Sequence, residues 1–69
     1  MLLNNYQEVI GTLEAIDPKD QLINLTFTFK KTIEIPKQAI PIETLDKCKT
    51  KKICIFNLDG KYYLKEMKK

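Results

Sequence analysis

The stretch V-I-G-T-L-E-A-I-D-P-K-D-Q-L-I-N-L-T-F-T-F-K-K-T-I-E-I, Val9 to Ile35, decides the fold. Between Leu22 and Lys30 apolar and polar residues alternate. Ile23, Leu25, Phe27 and Phe29 fall on one side, and Asn24, Thr26, Thr28 and Lys30 on the other. Strand side chains repeat every two residues, so the pattern gives one face to a core and one to water. β-Branched and aromatic residues, which strands prefer, dominate the run. The preceding strand puts Val9, Gly11, Leu13 and Ala15 on one face.

The connection Asp17-Pro18-Lys19-Asp20-Gln21 is turn chemistry, with a proline that presets φ and aspartates that bond nearby amides. A loop over those residues pairs Ile16 with Leu22, Ala15 with Ile23, Leu13 with Leu25, Gly11 with Phe27 and Val9 with Phe29. Core-face residues then meet one another, which is what fixes a register. Gly11 opposite Phe27 leaves room for the ring or marks a bend. At the next reversal, a loop over Lys30-Lys31-Thr32 pairs Phe29 with Ile33 and Phe27 with Ile35. It lacks the usual glycine, so Lys31 or Thr32 is expected to carry a positive φ.

Working outward, Asn4-Asn5 is a turn into a strand beginning near Tyr6, with Leu2 and Leu3 in need of cover. Pro36-Lys37-Gln38-Ala39-Ile40-Pro41 stops the ladder, because proline cannot donate to it, and predicts a 3₁₀ turn near residues 37–41 with Ala39 or Ile40 inward. Ile42 and Leu45 are spaced for one turn of helix or a very short strand, and residues 46–52 read as a lysine-heavy loop. Residues 52–67 form the clearest hairpin, with Asp59-Gly60 as a type I′ turn pairing Leu58 with Lys61, Asn57 with Tyr62, Phe56 with Tyr63 and Ile55 with Leu64. One of its faces carries Ile53, Ile55, Tyr62 and Leu64. The other carries Cys54, Phe56, Leu58, Tyr63 and Met67, rimmed by Lys61 and Lys65. The expected architecture is a single all-β domain over residues 1–69: a small, strongly bent SH3-, Sm- or OB-type barrel of about five strands, with a C-terminal hairpin inside or beside it.

Composition narrows the function by what is missing. The 69 residues contain no His and no Trp, and the printed sequence holds neither Ser nor Arg. Without His or Ser the usual nucleophile–base pairs cannot be assembled, and the acids are scattered over turns and polar faces, so no enzyme is expected. Without Arg there is no bidentate fork for guanine or phosphate. Cys48 and Cys54 fall short of the four ligands zinc wants, so Cys54 reads as a buried free thiol and no metal or other cofactor is expected. The formal charge of +3 suits a polyanion without demanding one. Met1 to Asn5 carries neither a basic leader nor a long apolar run, which predicts a cytoplasmic protein away from membranes.

Gly11-Thr12-Leu13-Glu14-Ala15-Ile16-Asp17 followed by Gln21-Leu22-Ile23 resembles the first signature of Sm-like barrels. Ile35-Pro36-Lys37-Gln38-Ala39-Ile40 is similar to the second signature of the Hfq family of bacterial Sm-like RNA chaperones, and Leu3-Asn4-Asn5 resembles the first hairpin turn there. The likeness covers residues 3–45. The sequence departs from the family in having Gln38 at the usual histidine, a proline before Lys37, no N-terminal helix and an additional hairpin at residues 46–67. What the resemblance implies is a small barrel that binds RNA, with Lys37 and Gln38 at the ligand-facing turn.

Two functional expectations follow. In the first, RNA or single-stranded nucleic acid is bound by Lys37 and Gln38 and by a stacking platform of Phe56 and Tyr63 flanked by Lys61 and Lys65. In the second, the chain is a protein-contact or self-assembly module using exposed strand edges and the two-faced hairpin. Phe56 and Tyr63 as a simple cross-strand packing pair is the plainer reading of those two rings.

Overall fold

The computed structural model describes residues 2–67, apart from the Phe29 side chain. Five antiparallel strands form one sheet: β1 (Glu8–Pro18), β2 (Leu22–Phe27), β3 (Lys31–Pro36), β4 (Lys52–Leu58) and β5 (Lys61–Glu66). A 3₁₀ turn, Thr28–Lys30, follows β2, and one helix, α1 (Ile42–Cys48), lies between β3 and β4. The sheet order is β3-β2-β1-β4-β5.

The organising strand is β1, and it serves two partners in turn. Glu8 to Thr12 pair with β4, from Glu8–Phe56 to Thr12–Lys52. Beyond Leu13 the strand pairs with β2, from Leu13–Phe27 to Pro18–Ile23. Leu13 is the crossover. Its N–H donates to the Lys51 carbonyl at 3.1 Å and its carbonyl accepts from the Thr50 N–H at 2.8 Å, so neither group is orphaned where the strand changes neighbours. A bulge between Leu13 and Ala15 bends the strand there. Gly11 leaves room for the neighbouring ring: a Cβ at that position would lie 3.4 Å from the Phe27 ring and from Thr28 Oγ1.

A shorter reversal than expected overturns the β1–β2 register, and the bulge shifts it once more. Strand β1 runs on through Asp17 and Pro18, and the reversal is confined to Lys19-Asp20-Gln21, closed by Lys19 N–H to the Leu22 carbonyl at 2.7 Å. Ile16 pairs with Leu25, and Ala15 pairs with Thr26 and is exposed. The extra residue switches which side faces inward, so Val9 and Leu13 are buried before it and Ile16 packs on the core after it. The register of β2 with β3 also differs, with Ile23 opposite Ile35 and Leu25 opposite Ile33. Strand β2 stops at Phe27, the 3₁₀ turn takes Thr28–Lys30, and the positive φ falls on Lys30 (61°) rather than Lys31 or Thr32. The inward face survives because the shift preserves the alternation. The expected core position of Phe29 lies outside the described residues.

Beyond β3, where a single 3₁₀ turn is expected near residues 37–41, the chain makes one i→i+3 hydrogen-bonded turn, Ala39 N–H to the Pro36 carbonyl at 3.0 Å, that does not extend into a 3₁₀ helix. Ile40 is buried, as expected. Residues 42–48 are helical, taking in part of the segment expected as a loop. Ile42, Leu45 and Cys48 recur at helical spacing on the side packed against the core, and Glu43 in the first turn and Lys47 in the last complement the helix dipole. The C-terminal hairpin matches expectation pair for pair, with positive φ at Asp59 (53°) and Gly60 (87°) as a type I′ turn requires.

The core is Leu3, Val9, Leu13, Ile23, Leu25, Phe27, Ile33, Ile35, Ile40, Leu45, Cys48, Ile53 and Ile55. Each large apolar side chain removed from water contributes about 1.5–3 kcal/mol. The edges β3 and β5 are not joined by a ladder, so the sheet is open. An N-terminal strap lies across the gap. Leu3 N–H donates to the Glu34 carbonyl on β3 at 3.2 Å, and the Leu3 carbonyl accepts from Asn57 Nδ2 at 3.1 Å and the Tyr62 hydroxyl at 3.0 Å. The strap turns at Asn5 and Tyr6, with Tyr6 at φ 65°, and β1 starts at Glu8 rather than near Tyr6. No helix among the described residues is long and apolar enough to cross a membrane.

Candidate functional site: an aromatic face and a neighbouring cleft

Alternation along β4 and β5 sends Cys54, Phe56 and Leu58 outward with Lys61, Tyr63 and Lys65, while Ile53 and Ile55 go to the core. The register makes rows of these outward residues. Glu8, Phe56 and Tyr63 form one row across β1, β4 and β5; Ile10, Cys54 and Lys65 form the next; Leu58 and Lys61 close the end at the hairpin turn. Phe56 and Tyr63 are stacked, with ring centroids 5.1 Å apart and planes inclined by 20°. Tyr63 is 42 % exposed, so the pair meets water. Such a stack is worth about 0.5–1.5 kcal/mol to the hairpin beyond its buried area.

Apolar surface continues around the pair. Ile10 and Leu58 are each about half exposed (49 % and 48 %). Three lysines, Lys52, Lys61 and Lys65, occupy the same face against one carboxylate, Glu8. That carboxylate is engaged by Cys54, whose Sγ–H donates to Glu8 Oε2 at 3.5 Å. Burial pushes the Cys54 thiol above its ordinary value of 9.0, the hydrogen bond and charge of Glu8 push it the same way, and Lys65 opposes them. Cys54 is therefore a protonated, unreactive thiol at neutral pH. Cys48, the last residue of α1, is also free and buried.

Lys37 and Gln38 are not part of this face. They line an open cleft with Asp20, Gln21 and Pro36, at the place where the β1–β2 turn meets the segment after β3. Lys37 N–H donates to the Gln21 carbonyl at 2.9 Å and ties the two turns together. A second groove, lined by Pro36, Ala39, Gly60, Lys61, Tyr62 and Tyr63, lies next to it and shares Pro36. Of the six expected site residues, Phe56, Lys61, Tyr63 and Lys65 thus form one face, and Lys37 and Gln38 another. Lys61 and Tyr63 also line the groove that borders Pro36.

Sequence reasoning did not place Asp20 or Gln21 at a site: it read Asp20 as turn chemistry, and Gln21 as turn chemistry and part of the Sm-like first signature. It missed Pro36 as a shared wall as well. The signal lay in the β2–β3 register, which differs from the expected one: pairing Leu22 with Pro36 puts Gln21 beside Lys37. Asn57 was also missed: it is buried (4 % exposed), with Nδ2 on the Leu3 carbonyl and Oδ1 accepting from Gly60 N–H at 2.9 Å, so it holds the strap and the hairpin turn together. Among the described residues no group of His, Cys, Asp and Glu is placed to hold a metal ion.

Comparison with protein-family models, with curated proteins and with solved structures returned no match.

Proposed function

We propose that this chain is a non-catalytic binder of single-stranded nucleic acid, RNA in the first instance. The observation that carries the reading is the solvent-facing Phe56–Tyr63 stack with Lys61 and Lys65 in the adjacent rows of the same face. A base laid on Tyr63 extends an existing stack, and the lysines meet the phosphates on either side. Stacking of this kind is worth about 1–3 kcal/mol per base and tolerates any sequence. Lys37 and Gln38, beyond the Pro36 groove, extend the positive and polar surface past the hairpin turn. Resemblance to Sm-like barrels supports the same ligand class through the same two residues.

The architecture that goes with this reading is a small barrel of the OB type. A first strand lying between the second and fourth, a helix between the third and fourth strands, and a strap spanning the gap between the outer strands all support it. As a fold-level analogy this bears on function only through the residues named above.

Titrating a fluorescent oligouridine into the protein at increasing salt tests the proposal. With Lys61 and Lys65 on phosphates, log K should fall against log salt with a slope of about −1.4. Tyr63→Ala should weaken binding at every salt concentration. Absence of binding at low ionic strength, or binding indifferent to salt, would overturn the reading.

A second reading, a protein-contact or self-assembly face, is favoured by the exposure of Ile10 and Leu58, which is more apolar surface than one stacking site uses. Light scattering separates the two. A homo-oligomer that dissociates on Leu58→Lys substitution supports the second, and a monomer that binds oligouridine supports the first.

A further inference from the structure

We propose that the cleft between the β1–β2 turn and the segment after β3 reads one base of the bound strand and selects guanine. This rests on the single-strand reading above and adds a base identity to it. The cleft is a held arrangement rather than a chance gap. Lys19 N–H to the Leu22 carbonyl (2.7 Å) closes one wall, Ala39 N–H to the Pro36 carbonyl (3.0 Å) closes the other, and Lys37 N–H to the Gln21 carbonyl (2.9 Å) joins them. Between the walls stand a carboxylate (Asp20), two side-chain amides (Gln21 and Gln38), an ammonium (Lys37) and the ring of Pro36.

The Asp20 carboxylate is uncommitted. Among the described residues no hydrogen bond or ion pair engages it, and the adjacent lysine, Lys19, is held by Asp17 at 3.0 Å. A carboxylate offers acceptors only, so it wants a ligand edge with neighbouring donors. Guanine alone among the RNA bases has such an edge, with N1–H beside the N2 amino group. Uracil has one N–H between two carbonyls, and adenine and cytosine each set a ring-nitrogen lone pair beside the amino group, which a carboxylate repels. Guanine O6, next to its two donors, then falls to Lys37 or to a glutamine amide. The cleft is within reach of a strand on the aromatic face, because Pro36 also walls the groove formed by Lys61, Tyr62 and Tyr63. A carboxylate repels phosphate, so this end of the site is suited to a base edge and not to the backbone.

The test uses the full chain and labelled uridine oligonucleotides of about eight residues, within the usual site size of small single-strand binders. A single central uridine is replaced in turn by guanosine, inosine, adenosine or cytidine. Guanosine should bind roughly tenfold tighter than uridine, with inosine, which lacks the N2 amino group, in between. Asp20→Asn and Asp20→Ala should each erase that advantage while leaving the all-uridine affinity unchanged or slightly improved, and thermal melts should show the exposed turn unperturbed. Equal affinity for all central bases, or a guanosine preference that survives both substitutions, would overturn the inference and leave the single-strand reading intact. Failure of every oligonucleotide to bind would remove both.

Discussion

Strands β2 and β3 turn Asn24, Thr26, Thr32 and Glu34 away from the core, whereas β4 and β5 turn out Phe56, Leu58, Lys61, Tyr63 and Lys65. On the first surface Thr26 and Thr32 meet through their hydroxyls at 3.4 Å, and Asn24 sits between Asp17 and Glu34 in the register. Neither β2 nor β3 holds any of the large apolar side chains that remain exposed, while Ile10, Leu58 and Tyr63 all lie on the second surface. The inward sides do not differ in this way: Ile23, Leu25, Ile33 and Ile35 match Ile53 and Ile55 in burial. Stability constrains the inward side equally along the sheet and leaves the outward side open to other demands. A solvated polar surface satisfies solubility, and a chain this small gains nothing in solubility from a half-exposed Leu58 or Ile10. The asymmetry is what the proposed binding face on the β4–β5 half rests on.

The comparison can be broken most severely at the core. Ile23→Ala and Ile53→Ala, one from each half, should each cost about 2–5 kcal/mol in urea unfolding. With a core this size the variants should be largely unfolded, and a silent result at either site would show that the two inner faces are not equivalent. A smaller effect is expected where the halves are tied together. Asn57→Leu deprives the Leu3 carbonyl of one donor and Gly60 N–H of one acceptor, and should cost about 1–3 kcal/mol. Hydrogen exchange at Leu3 should accelerate with it.

The outward faces should separate by binding rather than by stability. Tyr63→Ala should lose about 1–3 kcal/mol of affinity for single strands. Thr26→Ala, on the other half, should change nothing in the same titration, and an equal loss from both would dissolve the contrast. The smallest effect concerns pH. The Cys54 thiol is held above its unfolded value, so its contribution to stability is fully present below pH 9.0 and is lost as the pH rises through the folded value. Denaturation midpoints should therefore decline on the alkaline side, and Cys54→Ala should remove that part of the decline.

How legible the two halves were in the sequence follows from how local their determinants are. The β4–β5 hairpin could be placed residue by residue, because Asp59-Gly60 fixes a two-residue turn and every pair follows from it. The meander could be placed only modulo its alternation. Ile33 and Ile35 were bound to face inward whichever register held, but the β1–β2 pairing is set by a reversal confined to Lys19-Asp20-Gln21 and shifts again at the bulge after Leu13, where the strand changes partners toward residues 50 and 51. No turn residue near Glu14 announces it. Helix α1 was half visible through Ile42 and Leu45. Its last turn was hidden because Asp46, Lys47 and Lys49 look like a loop until Cys48 is seen to be buried. The same distinction applies to the candidate site. The aromatic face is a period-two pattern on adjacent strands and could be read directly, whereas the Asp20–Lys37 cleft exists only once two distant turns are joined.

The strap also sets the order in which the fold closes. Leu3 finds its hydrogen-bond partners on Asn57 and Tyr62, separated from it by 54 and 59 residues. Its carbonyl finds both donors only when β4 and β5 are in place, whereas its N–H can already meet Glu34 on β3. Closing contacts of such long range slow the final step of folding.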